Sequence, residues 1–351
     1  MKRKILLLVL MFGIMPIVYA DTGAVYTTTN NPAGNNIIRY DRGTDGILTF
    51  SGTFPTNGLG SGVSLGNQGG LVLSDDDRTL LSVNAGSNEI SVFDVRSDGL
   101  ILTDKVSSGG IRPISITIHK NLVYVLNAGG IGNITGFHLS NDGKLSAISG
   151  STRLLSNPSP APAEIAFNPN GDMLVVTEKA TNMIDTYAVD DSGLVNGPSI
   201  HPSNGPTPFG FAFDKRGILI VSEAPISSLS SYSVDDIGFL TTISKSIPDF
   251  EGAACWVAIT KNGKFVYTAN AGTNSISSYG ISTEGVLTLL GQKAGITSAG
   301  PFDLAITKNS KFLYDLHSGG ITGFQIGADG RLSKVTEITG LTGAINGLAA
   351  S

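Results

Sequence analysis

One pattern of apolar and polar positions recurs seven times along the chain. Each copy places an aliphatic residue three positions before an aromatic one, a glycine six positions after the aromatic, and a second aliphatic residue two positions beyond the glycine. The aromatic residues of successive copies lie 44 to 53 positions apart. Repeats of about 40 to 50 residues with strand-like composition are typical of β-propellers. The aromatic positions are Tyr40, Phe93, Phe137, Tyr187, Tyr232, Tyr279 and Phe324.

Each copy predicts a strand, a tight turn and a second strand. Aromatic and β-branched residues with alternating polarity favour a strand. In five copies an acidic residue directly precedes the glycine, as in Asp45-Gly46, and glycine supplies the positive φ of a tight hairpin at low steric cost. We therefore assign each copy to the third and fourth strands of a propeller blade.

Six copies are preceded by a short apolar segment, such as residues 163–167 or 255–259, whose fourth position is Val, Thr or Ala. Small residues fit where the blades converge on the axis, so these segments are assigned to the innermost strands. Residues 346–350 supply the missing segment for the copy around Tyr40. The sequence thus predicts an all-β fold, a seven-bladed β-propeller of four-stranded antiparallel blades, closed by the C-terminal strand pairing into the first blade.

Residues 1–20 have the form of a signal peptide. Lys2, Arg3 and Lys4 precede an apolar run over residues 5–18, and Ala20 is a small residue before the expected cleavage. The run is too short to span a bilayer comfortably, and no cysteine follows the expected cut. We expect export to the periplasm or the cell exterior, and a single propeller domain over residues 21–351.

Charge and cysteine content exclude several classes of partner. Without the three basic residues of the signal peptide, 20 Lys and Arg face 28 Asp and Glu, a net charge of −8. Such a chain is not expected to bind nucleic acid or an anionic membrane. The one cysteine, Cys255, lies beside Trp256 in an apolar segment, where we expect a buried structural thiol. No metal motif is readable, and we expect no cofactor, no metal and a monomer.

Polar side chains recur at the ends of the predicted second strands and within the first strands. Because strand direction alternates within a blade, both sets lie on one rim and the Asp-Gly turns on the other. A ligand would bind where the first set converges on the axis. The second strands end at Thr29, Asn84, Asn127, Glu178, Glu223, Asn270 and His317, and the first strands contribute Ser115, Glu164, Trp256 and Asp303.

These residues suit different roles. Asparagine is a common turn residue, so the asparagines could be structural as well as ligand-binding. Glu178, Glu223 and His317 are not favoured turn residues, which makes them candidates for acid–base catalysis on a small polar molecule. A buried unpaired carboxylate is costly, so the acids of the first strands are expected to face channel water or to pair with a basic residue. The substrate-binding candidates are Arg112, Glu164, Lys179, Trp256, Asp303, Asn127 and Asn270.

The blade form resembles that of the lactonase-type seven-bladed propellers, a family that includes propeller-type 6-phosphogluconolactonase and carboxymuconate cyclase. The resemblance rests on residues 162–171, 174–178 and 265–270, and it extends over essentially the whole chain after residue 20. It implies lactone hydrolysis or the reverse ring closure, without metal or organic cofactor, by His, Arg and Glu at the channel mouth. Glu178 stands where the family often has an acid, but the slot of the family's His reads Ala163-Glu164 here.

We therefore expect an exported lactonase-like hydrolase or cyclase that acts on a small sugar or aromatic lactone. Glu178, Glu223 and His317 would be its acid–base groups, and Arg112 would hold a carboxylate. The alternative is a non-catalytic exported propeller that binds a protein or glycan on the same rim, because propellers host many unrelated functions. A purely structural repeat protein is a third reading, which the polar inner-strand residues oppose. Convergence of Glu164 with the three acid–base candidates would favour catalysis, and scattered positions would favour binding or a structural role.

Overall fold

The computed structural model describes residues 21–351, so the predicted signal peptide lies outside the described residues. These residues form seven antiparallel sheets in chain order. The first strand of each sheet contacts the first strands of both neighbouring sheets, and the seven blades therefore close a ring. Within the described chain, the one helical element is a 3-10 turn at Ala224–Ile226, and no helix is long and apolar enough to cross a membrane.

In blades 2 to 7 the first strand of the blade in chain order lies at the axis and the last strand on the outside. The strands of blades 1 to 3 are β1 (Gly23–Thr28), β2 (Asn36–Arg42), β3 (Leu48–Pro55), β4 (Leu71–Leu73), β5 (Thr79–Asn84), β6 (Glu89–Arg96), β7 (Gly99–Ser107), β8 (Pro113–His119), β9 (Leu122–Asn127), β10 (Asn133–Leu139), β11 (Leu145–Ala147) and β12 (Arg153–Leu154). Those of blades 4 to 7 are β13 (Pro162–Phe167), β14 (Met173–Glu178), β15 (Met183–Val189), β16 (Val195–Pro202), β17 (Pro208–Phe213), β18 (Leu219–Glu223), β19 (Ser228–Val234), β20 (Leu240–Pro248), β21 (Ala254–Ile259), β22 (Phe265–Asn270), β23 (Ser275–Ile281), β24 (Leu287–Ile296), β25 (Pro301–Ile306), β26 (Phe312–His317), β27 (Gly320–Ile326) and β28 (Leu332–Thr339), and β29 (Asn346–Ala350) returns to blade 1.

Blade 1 is completed by the last strand of the chain, as predicted. Its sheet has the order β29-β1-β2-β3, and Val25 pairs with Ala350 in the β1–β29 ladder. Arg42 also stabilises the junction of the two chain ends, because its guanidinium donates to the carbonyls of Ser351 (3.0 Å) and Asp21 (3.0 Å). The seven-bladed fold and its closure are therefore confirmed.

The repeat glycine joins neighbouring blades as well as turning the hairpin. Gly46 has a φ of +82° in its turn, as the Asp-Gly pattern predicts. In three blades a second-strand tyrosine donates its hydroxyl to the carbonyl of this glycine in the next blade. The three bonds are Tyr124 to Gly193 (2.6 Å), Tyr267 to Gly330 (2.8 Å) and Tyr314 to Gly46 (2.8 Å).

Two blades depart from the regular form. In blade 2, Arg96 pairs directly with Gly99, so the hairpin has two residues and the glycine falls into β7 without a positive φ. The expected role of Gly99 as a turn glycine is therefore wrong. In blade 3, the outer strand is split into β11 and β12, which both pair with β10.

The linker between blades 1 and 2 is much longer than the others. It runs from residue 56 to residue 70, whereas the next linker spans residues 108–112 and the one after blade 4 spans residues 203–207. The extra length lies on the rim that carries the starts of the first strands and the ends of the second strands. We call this the upper rim, and we call residues 56–70 the axial loop.

Candidate functional site

The axial loop crosses the mouth of the central channel. Asn67 bonds to three different blades: its side-chain amide donates to the Ile114 carbonyl, its side-chain oxygen accepts from Asn346 (2.8 Å), and its backbone carbonyl accepts from the Trp256 indole (2.8 Å). These partners belong to blades 3, 1 and 6. Because contacts on opposite sides of the ring meet in one residue, the loop closes the channel at the upper rim.

The Gln68 side chain lies among the inner strands and bonds to their backbone. Its side-chain amide bonds both the N–H and the carbonyl of Val257, at 3.0 and 2.8 Å, in blade 6. Gly210 of the intervening blade makes room, since a Cβ there would lie 2.1 Å from the Gln68 side-chain oxygen. The backbone N–H of Gln68 donates to the Ala163 carbonyl in blade 4 (3.2 Å). The axial loop is thus hydrogen-bonded to the inner strands of several blades.

Polar inner-strand side chains join one blade to the next around the axis. Each accepts a backbone N–H from the innermost strand of the following blade. These N–H groups have no further strand of their own sheet to bond. The two acids were expected to face channel water or to pair with Arg112 or Lys179, and they bond backbone N–H groups instead. The bonds run from Ile165 to Ser115 (3.2 Å), from Phe211 to Glu164 (2.7 Å) and from Leu348 to Asp303 (3.0 Å).

Burial makes both inner-strand acids hard to ionise. Burial raises the pKa of Asp303 to about 8, against the lowering effect of two backbone N–H bonds. Burial also raises the pKa of Glu164 well above its usual range, and the carboxyl of Asp303 adds to the effect. At neutral pH Asp303 is therefore mostly protonated, and burial favours the protonated form of Glu164 in the same way, which suits both groups to act as acids. Glu164 faces Gly69, so the axial loop covers it.

Lys179 lies between the axial loop and blade 4. Its ammonium donates to the carbonyls of Gly66 and Pro162 (3.0 Å for the latter) and lies 5.0 Å from the centre of the Phe209 ring. Burial lowers the pKa of Lys179 to about 8, and the neighbouring Arg112 contributes to the lowering. The amine is thus a cation at neutral pH with a neutral form within reach, as general acid–base chemistry requires.

Arg112 stands beside Lys179 on the exposed side of the same loop. Its guanidinium donates to the Ser64 carbonyl at 3.4 Å, and its own backbone has a φ of +55°. Trp256 completes the wall of the mouth, with its ring 5.1 Å from that of Phe209 in an edge-to-face contact. Two cations and two aromatic rings therefore meet at the axial mouth.

Glu178 is held inside blade 4. Its carboxylate accepts the Ser156 hydroxyl, the Ser156 backbone N–H (2.9 Å) and the Thr181 hydroxyl (2.6 Å). The Asp185 carboxyl lies next to it, and burial together with the Glu178 charge raises the pKa of Asp185. A proton on Asp185 would relieve the repulsion between the two acids. The pair links the second and third strands to the linker that follows blade 3.

Glu223 occupies the corresponding position of blade 5. It accepts the Gly205 N–H (2.8 Å) and the hydroxyls of Ser228 (2.7 Å) and Ser230 (2.6 Å), and it is fully buried. This carboxylate therefore caps the ends of two strands and one linker.

Replacing Glu223 with alanine is expected to destabilise the protein by about 2 kcal/mol, because it leaves a buried N–H and two buried hydroxyls without an acceptor. Urea denaturation of the variant measures this loss. Glu284→Ala removes the same charge from an exposed hairpin and serves as the control. Equal stability of the two variants would contradict the capping role.

His317 is also buried, in blade 7. Its Nδ1 lies 3.2 Å from the Ser318 carbonyl, so this nitrogen carries the proton, and Nε2 lies 3.0 Å from the Thr322 hydroxyl. The asparagines at the ends of the second strands of blades 3 and 6 also bond within their own blades. Asn127 donates to Asn133 (2.8 Å) within blade 3, and Asn270 donates to Ser277 (2.8 Å) within blade 6.

The three residues expected to act as acid–base groups thus do not share a set of partners. Glu178 and Glu223 each bond to groups of their own blade and of the preceding linker, and the bonds of His317 among the described residues stay within its own blade. The structure instead brings together Arg112 and Lys179 at the axial mouth, under the loop that also covers Glu164.

Two residues at this mouth, Asn67 and Gln68, are absent from the sequence-based candidates. Their segment belongs to none of the strands, and only the 53-residue spacing between Tyr40 and Phe93 marks the extra length there.

A cleft of about 950 Å³ opens elsewhere, between blades 2 and 3 on the opposite rim. Arg78, Arg96 and Lys120 line it together with several aspartates, and the Arg96 guanidinium pairs with Asp94 at 2.8 Å. The cleft is a groove between neighbouring hairpins with charges of both signs, and none of the sequence-based candidates lines it. In the part of the chain that the structure describes, no group of three or more His, Cys, Asp or Glu is placed to hold a metal ion.

Comparison with known proteins agrees with this architecture. Residues 132–253 match the family model described as lactonase, 7-bladed beta-propeller. No curated protein sequence matches the chain.

Solved structures share the fold over nearly the whole chain. A Lactobacillus plantarum protein has a TM-score of 0.77 at 19% identity, covering 95% of this chain and 100% of its own. A candidate 6-phosphogluconolactonase from Bacteroides fragilis has a TM-score of 0.72 at 18% identity, with 94% and 98% covered. A periplasmic gluconolactonase from Pseudomonas aeruginosa has a TM-score of 0.73 at 14% identity, with 94% and 99% covered. The chain therefore resembles the lactonase-type seven-bladed β-propellers, in the sequence of its middle blades and in the fold of its full described length.

Proposed function

We propose that this protein is an exported, lactonase-like hydrolase that opens a small sugar or aromatic lactone at the axial mouth. The observation that carries the proposal is the meeting of Arg112 and Lys179 with two aromatic rings at the axial mouth, where the loop also covers the carboxyl of Glu164. The match of residues 132–253 to the lactonase family and the fold shared with a periplasmic gluconolactonase support it.

The side chains at the mouth suit the steps of lactone opening. In its neutral form, Lys179 can take a proton from the attacking water, and in its charged form it stabilises the oxyanion that develops on the lactone carbonyl. Glu164 can give its proton to the departing ring oxygen. Arg112 would hold a carboxylate of the substrate or product, and the rings of Trp256 and Phe209 would pack against the sugar or aromatic ring.

Hydrolysis of a panel of sugar and aromatic lactones by the protein lacking residues 1–20 tests this proposal. Lys179→Met and Glu164→Gln are expected to lose about a hundredfold or more of the turnover, which is the usual effect of removing a general acid or base. Glu178→Gln and His317→Ala test the sequence-based assignment. If these two lose turnover while the mouth variants keep it, the acid–base groups lie inside the blades.

A second candidate function is non-catalytic binding of a protein or glycan on the upper rim. It is favoured by the exposed apolar side chains of Leu59, Val63, Ile111 and Ile131, which lie on loops of this rim. A folded protein that opens no lactone of the panel would support this function over catalysis.

A further inference from the structure

Arg112 and Lys179 form a pair of cations without an acidic partner. Over residues 21–351, neither takes part in an ion pair with a carboxylate, and both donate to backbone carbonyls of the axial loop. Most of the Lys179 side chain is buried, and the neighbouring guanidinium opposes its charge. A buried charge without a counter-charge is unfavourable, so this position would gain from an anion.

A carboxylate would bind these cations more strongly than the carbonyls do. A carbonyl offers a dipole, whereas a carboxylate offers a full negative charge, and hydrogen bonds between two charged groups are roughly twice as strong as neutral ones. The planar guanidinium can bond both oxygens of a carboxylate at once. The present partners, the carbonyls of Ser64 and Gly66, are therefore replaceable.

The stretch that these carbonyls belong to is held less firmly than its flanks. On one side, the Asn30 side chain bonds the Ser61 N–H (2.7 Å) and the Val63 carbonyl (2.9 Å). On the other side, Asn67 and Gln68 bond to several blades. Residues 64–66 between these anchors are held by the two cations and by the buried side chain of Leu65. Gly66, with a φ of +60°, gives the stretch a pivot.

We propose that a small hydroxycarboxylate, such as a sugar acid, binds between Arg112 and Lys179, displaces the Ser64 and Gly66 carbonyls, and opens the axial loop. Opening uncovers Glu164 and the top of the channel. The inference rests on the proposed function only for the position of the site. The test of this inference measures carboxylate binding and loop opening, not hydrolysis. Loop opening can therefore be absent while lactone hydrolysis is found, and it can be found while hydrolysis is absent.

The chain carries two unique reporters under this loop. Trp256 is the only tryptophan, and its indole bonds the axial loop at Asn67. Cys255 is the only cysteine, and it lies buried near enough to Lys179 for each charge to act on the other. Opening of the loop would change the fluorescence of the first and expose the second to thiol reagents.

Gluconate is the probe, and glucose is its neutral control. In the full protein, saturating gluconate is expected to raise the rate of Cys255 alkylation about tenfold, which corresponds to about 1.4 kcal/mol of shifted loop equilibrium. It is also expected to change Trp256 fluorescence, and glucose should do neither. Lys179→Met should show no response to gluconate, while Lys293→Met, a change on an outer strand, should respond like the unaltered protein.

The unaltered protein alone can overturn the proposal. Unchanged alkylation and unchanged fluorescence at saturating gluconate would show that no carboxylate opens the loop. A full gluconate response in both Lys179→Met and Arg112→Met would show that the anion binds elsewhere. Because Arg112 is exposed, its variant tests the site even if Lys179→Met does not fold.

Discussion

Deleting residues 344–351 is expected to abolish the cooperative unfolding transition of the protein. The deletion removes β29, the innermost strand of blade 1, together with the buried side chains of Ile345 and Leu348. It exposes the edge of β1 and leaves Asp303 without the Leu348 N–H that it accepts. An open ring also has two unpaired blade faces, which closure otherwise removes.

Circular dichroism and differential scanning calorimetry of the truncated protein measure this effect. Leu348→Ala is the graded comparison, with an expected loss of about 3 kcal/mol from the cavity that it creates. Added peptide of residues 344–351 should restore part of the transition, because the missing strand would pair with β1 again. A truncated chain that unfolds at the unaltered temperature would disprove closure by β29.

Replacing Asp315 with asparagine is expected to stabilise the protein by about 3 kcal/mol more at pH 8 than at pH 5, since an unpaired buried charge costs several kcal/mol. Asp315 is fully buried on β26, and neither of its carboxyl oxygens has a hydrogen-bond partner among the described residues. Burial raises the pKa of Asp315 well above its usual range, and the Asp303 carboxyl adds to the effect. The amide cannot ionise and has nearly the same shape.

The direction of this pH dependence follows from the protons bound by the folded and unfolded states. Between the pKa of the unfolded chain, about 4, and the raised pKa of the folded protein, the folded state keeps a proton that the unfolded state has lost. The stabilisation is therefore fully present below about pH 4 and declines as the pH rises. Asp303 and Glu164 act in the same direction, so the unaltered protein should be less stable at pH 8 than at pH 5.

Urea denaturation at pH 5 and pH 8 measures both effects. Asp236→Asn removes the same charge from an exposed hairpin, and its stability difference between the two pH values should equal that of the unaltered protein. An Asp315→Asn variant that is destabilised at both pH values would show that the carboxylate has a partner in solution.

The fold could be predicted from the sequence because its signal is repeated and local. Seven copies of one aromatic–glycine spacing indicate seven blades, and the absent inner segment before Tyr40 indicates closure by residues 346–350. Gly99 shows the limit of this reasoning. Its spacing is regular, but the hairpin before it closes with two residues, so the glycine lies in a strand.

The site was harder to predict because its residues come from positions with no repeated signal. Polar residues at the strand ends could be aligned, but alignment does not show whether Glu223 faces the channel or its own blade. That depends on Ser228 and Ser230, whose hydroxyls bond it inside the sheet. The crossing of the mouth by Asn67 depends on the path of a long linker, for which composition and periodicity give no rule.

The pairing of β1 with β29 also sets the order of events during synthesis. Residues 24 and 351, which bond each other at 2.8 Å, are 327 positions apart. Blade 1 therefore cannot be completed until residues 346–351 have left the ribosome, and until then the other blades form an open arc. Contacts of such long range slow folding. If the protein is exported as we propose, this late closure would keep the chain unfolded long enough to pass through a translocation pore, which a domain that folds early would block.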